Sequence, residues 1–347
     1  MPKFSYPAKP VRGDSVAVIS PSGRSAARFP APVDVGLTRL RDDFGLVPVE
    51  YPTTRAAQAS PAERAADIHA AFADPQIKAV ITTIGGDDQL KVLRHLDPGL
   101  LVANPKPFFG YSDNVNLLLY LWNLGLVSYH GGALMVQFGR PGAIHPATRR
   151  TLQLALFGGG AERLTEPAEY TDEDGDWADQ ATFTREPAMH PGAGWSWHGP
   201  QVVVSGPAWG GCLEIIDFHL RTGTYLLAND RYDGVVFFAE TSEEMPDAEY
   251  VYRVLMCMGE RGLLQRFGAI SWGRPKAWSL DQRRSGVEKA DYTAAQQAAV
   301  LAAVREYAPA TPVVFGVDFG HTDPQLIIPF GGDTTVDGIN RTITVTY

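Results

Sequence analysis

Pro107-Phe-Phe-Gly-Tyr-Ser-Asp113 joins a short apolar run to a leucine-rich segment of helical pattern, Asp113 to Leu124. A short apolar run beside a glycine reads as a buried strand, and here the strand turns at once into a helix. Such a turn presents the Ser112 hydroxyl at the end of a sheet. It also aims the first free N–H groups of the helix at whatever that hydroxyl attacks. One elbow then supplies a nucleophile and half of an oxyanion hole. A serine at this position also suits a plain helix cap, so the rest of the chain has to decide between the two.

Working outward, the flanking sequence alternates strands and helices. Ser15–Ser20 reads as a buried strand closed by Pro21-Ser22-Gly23, a helix follows near Pro32 to Phe44, and Leu46–Tyr51 is a second strand. Ser60, Pro61 and Glu63 form a helix start, with an N-cap, a proline at the first helical position and a capping-box glutamate. The apolar positions Ala65, Ile68, Ala71 and Phe72 share one face. Lys78–Ile84 is a further strand, followed by Gly85-Gly86-Asp87-Asp88. Strand–helix alternation implies a parallel sheet covered by helices, with ligands at the carboxyl ends of the strands. Gly85-Gly86 and Ser112 both lie at such ends.

From about Gly158 to Gly199 the periodicity stops, and Thr171-Asp-Glu-Asp-Gly-Asp176 lies near the centre of the stretch. A segment of this length marks a functional loop or linker. It divides the chain into an N-terminal domain over 1–157, a connecting and active-site loop over 158–200 and a C-terminal domain over 201–347. In the last part, strands are expected at Gln201–Ser205, Gly234–Glu240, Ala269–Trp272, Pro312–Val317, Gln325–Pro329 and Arg341–Thr346. Helices are expected near Leu213–Arg221, Ala248–Met258 and Ala294–Tyr307.

The 347 residues are 45% hydrophobic, enough for one large core or two ordinary ones. A net charge of −9 argues against nucleic acid as a partner. Cys212 and Cys257 lie in no cysteine-rich framework and no paired metal-ligand spacing, so a reducing cytoplasm is expected and no metal. The opening Met-Pro-Lys-Phe-Ser-Tyr-Pro has no apolar core of a signal peptide. The longest apolar stretch, Leu117 to Val127, is too short to span a membrane.

A serine nucleophile needs a base, and the base needs an orienting acid. Of eight histidines, His130 in Ser-Tyr-His-Gly-Gly and His321 in Asp-Phe-Gly-His-Thr-Asp follow apolar strands and sit beside glycine. Glu240 ends the buried run Gly-Val-Val-Phe-Phe-Ala-Glu, where an unpaired carboxylate costs several kcal/mol to desolvate. Glu243 and Glu244 read as the acidic first turn of the next helix. Gly85-Gly86 lets backbone approach a ligand closely, and Gly-Gly-Asp-Asp also resembles the phosphate loop of small-molecule kinases, the rival reading.

Five ordered motifs then bear on identity: Ile84-Gly-Gly-Asp-Asp88, Gly110-Tyr-Ser-Asp113, His130-Gly131, Val236-Phe-Phe-Ala-Glu240 and Gly320-His-Thr-Asp-Pro324. Together they resemble the LD-carboxypeptidase family over nearly the whole chain. The resemblance implies an α/β fold, with an N-terminal Rossmann-like parallel-sheet domain and a C-terminal α/β domain containing a small β-barrel-like sheet. It implies a cytoplasmic serine carboxypeptidase or amidase, homodimeric and without cofactor. Ser112 is then the nucleophile, His321 the base and Glu240 its orienting acid, with the Gly86 and Asp113 N–H groups as oxyanion hole. Gly85, Trp195, Trp197 and Cys212 would line the substrate site. The family's microcin-immunity branch implies a peptidyl-nucleotide or aminoacyl-conjugate substrate, with a loop tryptophan stacked on the base. The alternative is the L,D-bond of a muramoyl tetrapeptide in cell-wall recycling. Two departures bear on specificity. Cys212 follows Gly210-Gly211 where asparagine is frequent, and Thr241-Ser-Glu-Glu244 lacks the lysine of the microcin-immunity branch.

Overall fold

Ser60 caps its helix as its neighbours require. Its hydroxyl accepts from the Glu63 N–H, the Glu63 carboxylate accepts from the Ser60 N–H, and Pro61–Ala73 follows as helix. Ala65, Ile68, Ala71 and Phe72 are all buried against the sheet. The computed structural model describes residues 4–347. Met1–Lys3, the first residues of the N-terminal segment, lie outside the described residues.

Among the described residues sixteen strands are formed. The first half contributes β1 (Ser15–Ile19), β2 (Val47–Glu50), β3 (Ile77–Thr82), β4 (Phe108–Gly110) and β5 (Ser128–His130). The long connecting segment is not bare loop: it contains β6 (Ala161–Arg163), β7 (Glu169–Tyr170), β8 (His190–Pro191) and β9 (Ser196–His198). The second half adds β10 (Val203–Cys212), β11 (Val236–Glu240), β12 (Ala269–Gly273), β13 (Val313–Val317), β14 (Ile328–Phe330), β15 (Asp333–Asp337) and β16 (Thr342–Thr346).

One mostly parallel sheet runs through both halves in the order β2-β1-β3-β4-β5-β14-β10-β11-β12-β13-β9. The seam is β14, antiparallel to β5 and parallel to β10. A small antiparallel sheet branches off, in which the first half of β10 pairs with β15, β15 with β16, and β16 with β6. The buried runs of β3, β11, β12 and β13 are apolar because helices cover both faces of the sheet.

Strand β10 runs seven residues beyond its expected end at Ser205. Its continuation holds Gly206, Gly210 and Gly211, which weaken a strand signal in sequence. Here they are required. Gly210 and Gly211 have φ of 133° and 120°, and a methyl at Gly211 would lie 2.6 Å from the Val115 side chain. The absence of side chains at this point brings β10 against Val115–Asn123, the helix behind Ser112. The Trp122 indole on that helix donates to the Ala208 carbonyl at 3.1 Å and stacks on Tyr232, centroids 5.5 Å apart. The helix carrying the elbow is thereby packed into the core of the second half.

Candidate active site

Ser112 has φ +60°, which a non-glycine residue adopts at a cost of about 1–3 kcal/mol and keeps only where its surroundings enforce it. Asn114 does the enforcing. Its amide Nδ2 donates to the Ile84 and Tyr111 carbonyls, and its Oδ1 accepts from the Ser22 hydroxyl at 2.8 Å and the Gln89 amide at 2.9 Å. One buried side chain thus ties together the loops after β1, β3 and β4. The following helix Val115–Asn123 receives no side-chain cap, so a capping role for Ser112 finds no support. Gly85 is pressed on the elbow: a methyl there would sit 2.7 Å from both Cβ and Oγ of Ser112. Asp113 is buried beneath, accepting from the Gln89 N–H, and burial lifts its carboxyl to about 7.

Glu240 ends β11, fully buried between two glycines. A methyl at Gly273 would lie 2.5 Å from its Cβ, and one at Gly320 2.8 Å from its Oε2. Its carboxylate accepts from His321 Nδ1 at 2.6 Å. Nε2 of the same imidazole is buried and forms no hydrogen bond. Its near neighbour is the Glu243 carboxylate at 3.2 Å. Burial opposes the imidazolium, but Glu240 and Glu243 outweigh it and raise the His321 pKa to about 9. The turn that carries His321 is pinned by reciprocal backbone bonds between Asp323 and Thr171, and the Tyr111 ring lies 4.8 Å from the imidazole.

His130, the other candidate, is sealed among Tyr111, Phe319 and Phe330 with both nitrogens unpartnered. Burial, with the charge of His321, lowers its pKa to about 3, so it is a neutral core residue. Cys212 is likewise buried, its thiol donating to Glu214. Trp195 is only 9% exposed, with its indole N–H on Asp318 at 2.9 Å, and Trp197 pairs opposite Val314 within β9. Both have packing partners where an open, stacking face was expected. Trp177 is the tryptophan of the long loop that reaches the N-terminal half, edge-on to Phe29. Glu243 and Glu244 are also relocated: they lie in a turn, and the next helix begins at Ala248 with Asp247 as N-cap.

The acidic run 171–176 is an anchor. Lys276 Nζ donates to the Asp172 carbonyl and the Asp174 carboxylate, and Lys289 Nζ bonds Asp172 and Glu173. A cavity of ≈ 1060 Å³ opens at the carboxyl ends of β1, β2 and β3, beside the elbow. Ser22, Arg24, Phe29 and Gly86 are on its wall. It lies where the strand order reverses between β1 and β3, the expected ligand crevice of such a sheet. Asp88, on the same wall, is paired with Arg64 at 2.8 Å. Among the described residues no helix is long and apolar enough to cross a membrane.

Both halves match models of one family, the LD-carboxypeptidase N-terminal domain over residues 16–131 and the LD-carboxypeptidase C-terminal domain over 205–336. Similar relatives include the microcin C7 self-immunity protein MccF of Escherichia coli, 25% identical over 82% of this chain and 78% of that protein. A probable murein peptide carboxypeptidase of Bacillus subtilis is 24% identical over 82% and 76%. Among solved structures, MccF in complex with aspartyl sulfamoyl adenosine superposes with a TM-score of 0.84 at 23% identity, over 98% of both chains.

Proposed function

The chain belongs to the LD-carboxypeptidase family of serine peptidases, and we propose that Ser112, His321 and Glu240 form its catalytic triad. Membership leaves the kinase reading of the Gly-Gly-Asp-Asp loop without support. The observation that carries the triad is the Glu240–His321 bond of 2.6 Å, which fixes Nδ1 as donor and leaves Nε2 to face a nucleophile. The strained elbow at Ser112 supplies that nucleophile.

In the proposed cycle Ser112 Oγ attacks the amide carbonyl while His321 Nε2 takes its proton. The N–H groups of Gly86 and Asp113, on the two loops that meet at the elbow, receive the developing oxyanion. Collapse of the tetrahedral species moves the proton from His321 to the departing amine and leaves an acyl-enzyme. Water, deprotonated by the same imidazole, then releases the acid. Glu240 stays ionised and steadies the imidazolium.

For substrate, we propose a peptidyl-nucleotide or aminoacyl conjugate. The ≈ 1060 Å³ cavity adjoining Gly86 has room for a nucleoside-sized leaving group, and Phe29, with Trp177 edge-on against it, gives its wall an aromatic surface. Gly85 serves by letting the chain approach Ser112, while Trp195 and Cys212 are buried with partners of their own and Trp197 is half-buried. The murein L,D-bond is the second reading, favoured by the Bacillus subtilis relative. A cytoplasmic homodimer completes the proposal, in keeping with two free cysteines. The test is turnover of an aminoacyl-adenylate amide and of a muramoyl tetrapeptide, side by side, by the wild type and Ser112→Ala. Loss of both activities in Ser112→Ala is expected. Hydrolysis that survives the substitution rejects the triad.

A further inference from the structure

Glu243 is an acid at this site that the triad does not use. Strand β11 ends at Glu240, and the chain then makes a tight turn before the helix at Ala248. The turn is fastened from below, where the Ser242 N–H and hydroxyl both donate to the buried Glu214 carboxylate at 2.9 and 2.8 Å. Met245, in the same turn, has φ +49°. Glu243 projects from this fixed base with its side chain 58% exposed, and its Oε2 reaches to 3.2 Å from His321 Nε2. That nitrogen is the one that has to receive the proton of Ser112.

The groups facing the imidazole come from six elements. Glu240 holds Nδ1 from β11, and Glu243 faces Nε2 from the following turn. Glu214 lies behind them on the helix Leu213–Thr222, and Asp174 approaches from the long loop. Tyr111 and the neutral His130 complete the surround from the ends of β4 and β5. Lys276, the cation beside Asp174, is held by the Asp172 carbonyl and the Asp174 carboxylate. The imidazole therefore sees carboxylates on both sides, which suits an imidazolium and disables a base.

We propose that Glu243 is a clamp on His321 that a substrate with a free ammonium group on its acyl portion releases. In the free enzyme its carboxylate occupies the face of Nε2 that catalysis requires. At the mouth of the site the exposed carboxylate of Glu243, with Asp174 beside it, offers an ammonium group its binding partner. Once Glu243 turns to that ammonium, the Nε2 proton leaves to water, and the freed lone pair accepts the Ser112 proton. An acyl group lacking the cation leaves the clamp closed, so the site discriminates by activation as well as by contact. This inference rests on the triad proposed above.

Two measurements on the full-length protein test it. The first is an NMR titration of the His321 imidazole in wild type and Glu243→Gln, a substitution at an exposed side chain that removes charge and little else. The expected result is a fall in the His321 pKa of about one unit, the low end for a lost neighbouring charge because Glu243 is half in water. An unchanged titration overturns the clamp, whatever the enzyme hydrolyses. The second compares aminoacyl-adenylate amides with free and N-acetylated amines. Wild type should favour the free amine by about tenfold or more near pH 7, one pKa unit being a tenfold change in neutral imidazole. Glu243→Gln should lose most of that preference and shift the acidic limb of its kcat/KM profile to lower pH. Equal wild-type turnover of both amides also overturns the inference. If neither amide is hydrolysed, the peptidase proposal for this substrate falls, and the titration alone decides the clamp.

Discussion

Gly320→Ala perturbs the proposed triad without removing any of its polar atoms. The added methyl would stand 2.8 Å from Glu240 Oε2, 3.0 Å from its Cβ and 3.1 Å from its Cγ. Ordinary contact requires about 3.5–4.0 Å, so the carboxylate or the His321 turn must shift by about half an ångström or more. Glu240 has nowhere to withdraw, because the Gly273 backbone already closes against its other side. The displacement therefore falls on the 2.6 Å bond between Glu240 and His321 Nδ1. Misplacing a reacting group by an ångström costs on the order of a hundredfold, and loss of the triad acid's function about 10⁴-fold. The expected fall in kcat is about 10²-fold, with KM little changed and a destabilisation of about 1–3 kcal/mol from overpacking. Steady-state kinetics at saturating substrate and denaturant unfolding of the same variant read the two quantities. A kcat within twofold of wild type, with the expected loss of stability present, would refute the claim that this contact sets the imidazole.

Two further outcomes follow from the same geometry. Asn114→Ala removes both acceptor bonds from Ser22 and Gln89 and both donor bonds to Ile84 and Tyr111. At about 1 kcal/mol for each buried bond, chemical unfolding should show a loss of about 2–4 kcal/mol; a loss below about 1 kcal/mol would show that the three loops are held by something else. The pH dependence of stability has a definite sign at His321. Its pKa is raised in the folded state from 6.5 to about 9, so its contribution is complete below pH 6.5 and disappears as pH climbs through 9. Wild type should lose about 3 kcal/mol of unfolding free energy across that window that His321→Gln does not lose. Parallel curves for the two proteins would contradict the charged Glu240–His321 pair.

Local chemistry made part of this site legible in the sequence. The capping box at Ser60 and Glu63, the buried run ending in Glu240 and the strand–turn–helix at Ser112 are each fixed by neighbours a few residues away. The helix Gly286–Tyr307 starts eight residues earlier than its apolar pattern suggested, because Ser285 and Glu288 form a second capping box ahead of the polar Glu-Lys-Ala-Asp stretch. What the sequence hid depends on partners far along the chain. Asn114 looks like any polar residue opening a helix until Ser22, Ile84 and Gln89 surround it. Glu243 follows a strand and precedes a helix, and only the capping by Asp247 places it in the turn instead of the first helical coil. Trp197 belongs to an edge strand whose partner, β13, lies more than a hundred residues later, and Trp195 just before it bonds Asp318, beyond the end of that same partner.

The choice between His130 and His321 is a matter of topology. Ser112 stands at the end of β4 and Glu240 at the end of β11, and the sheet places β5, β14 and β10 between them. Four strand spacings come to about 19 Å, too far for a serine and a glutamate to share an imidazole mounted on either strand. A histidine within β5, as His130 is, stands in the sheet and points into its packed core. The base has to come from a segment that crosses over the strand ends, and the connection from β13 back to β14 is such a segment. It leaves the far side of the sheet, passes over Glu240 at Gly320 and His321, is tied down at Asp323 by Thr171, and enters the sheet beside β5. Inserting β14 between the two halves therefore closes the sheet and carries His321 to the gap between the Tyr111-Ser112 elbow and Glu240.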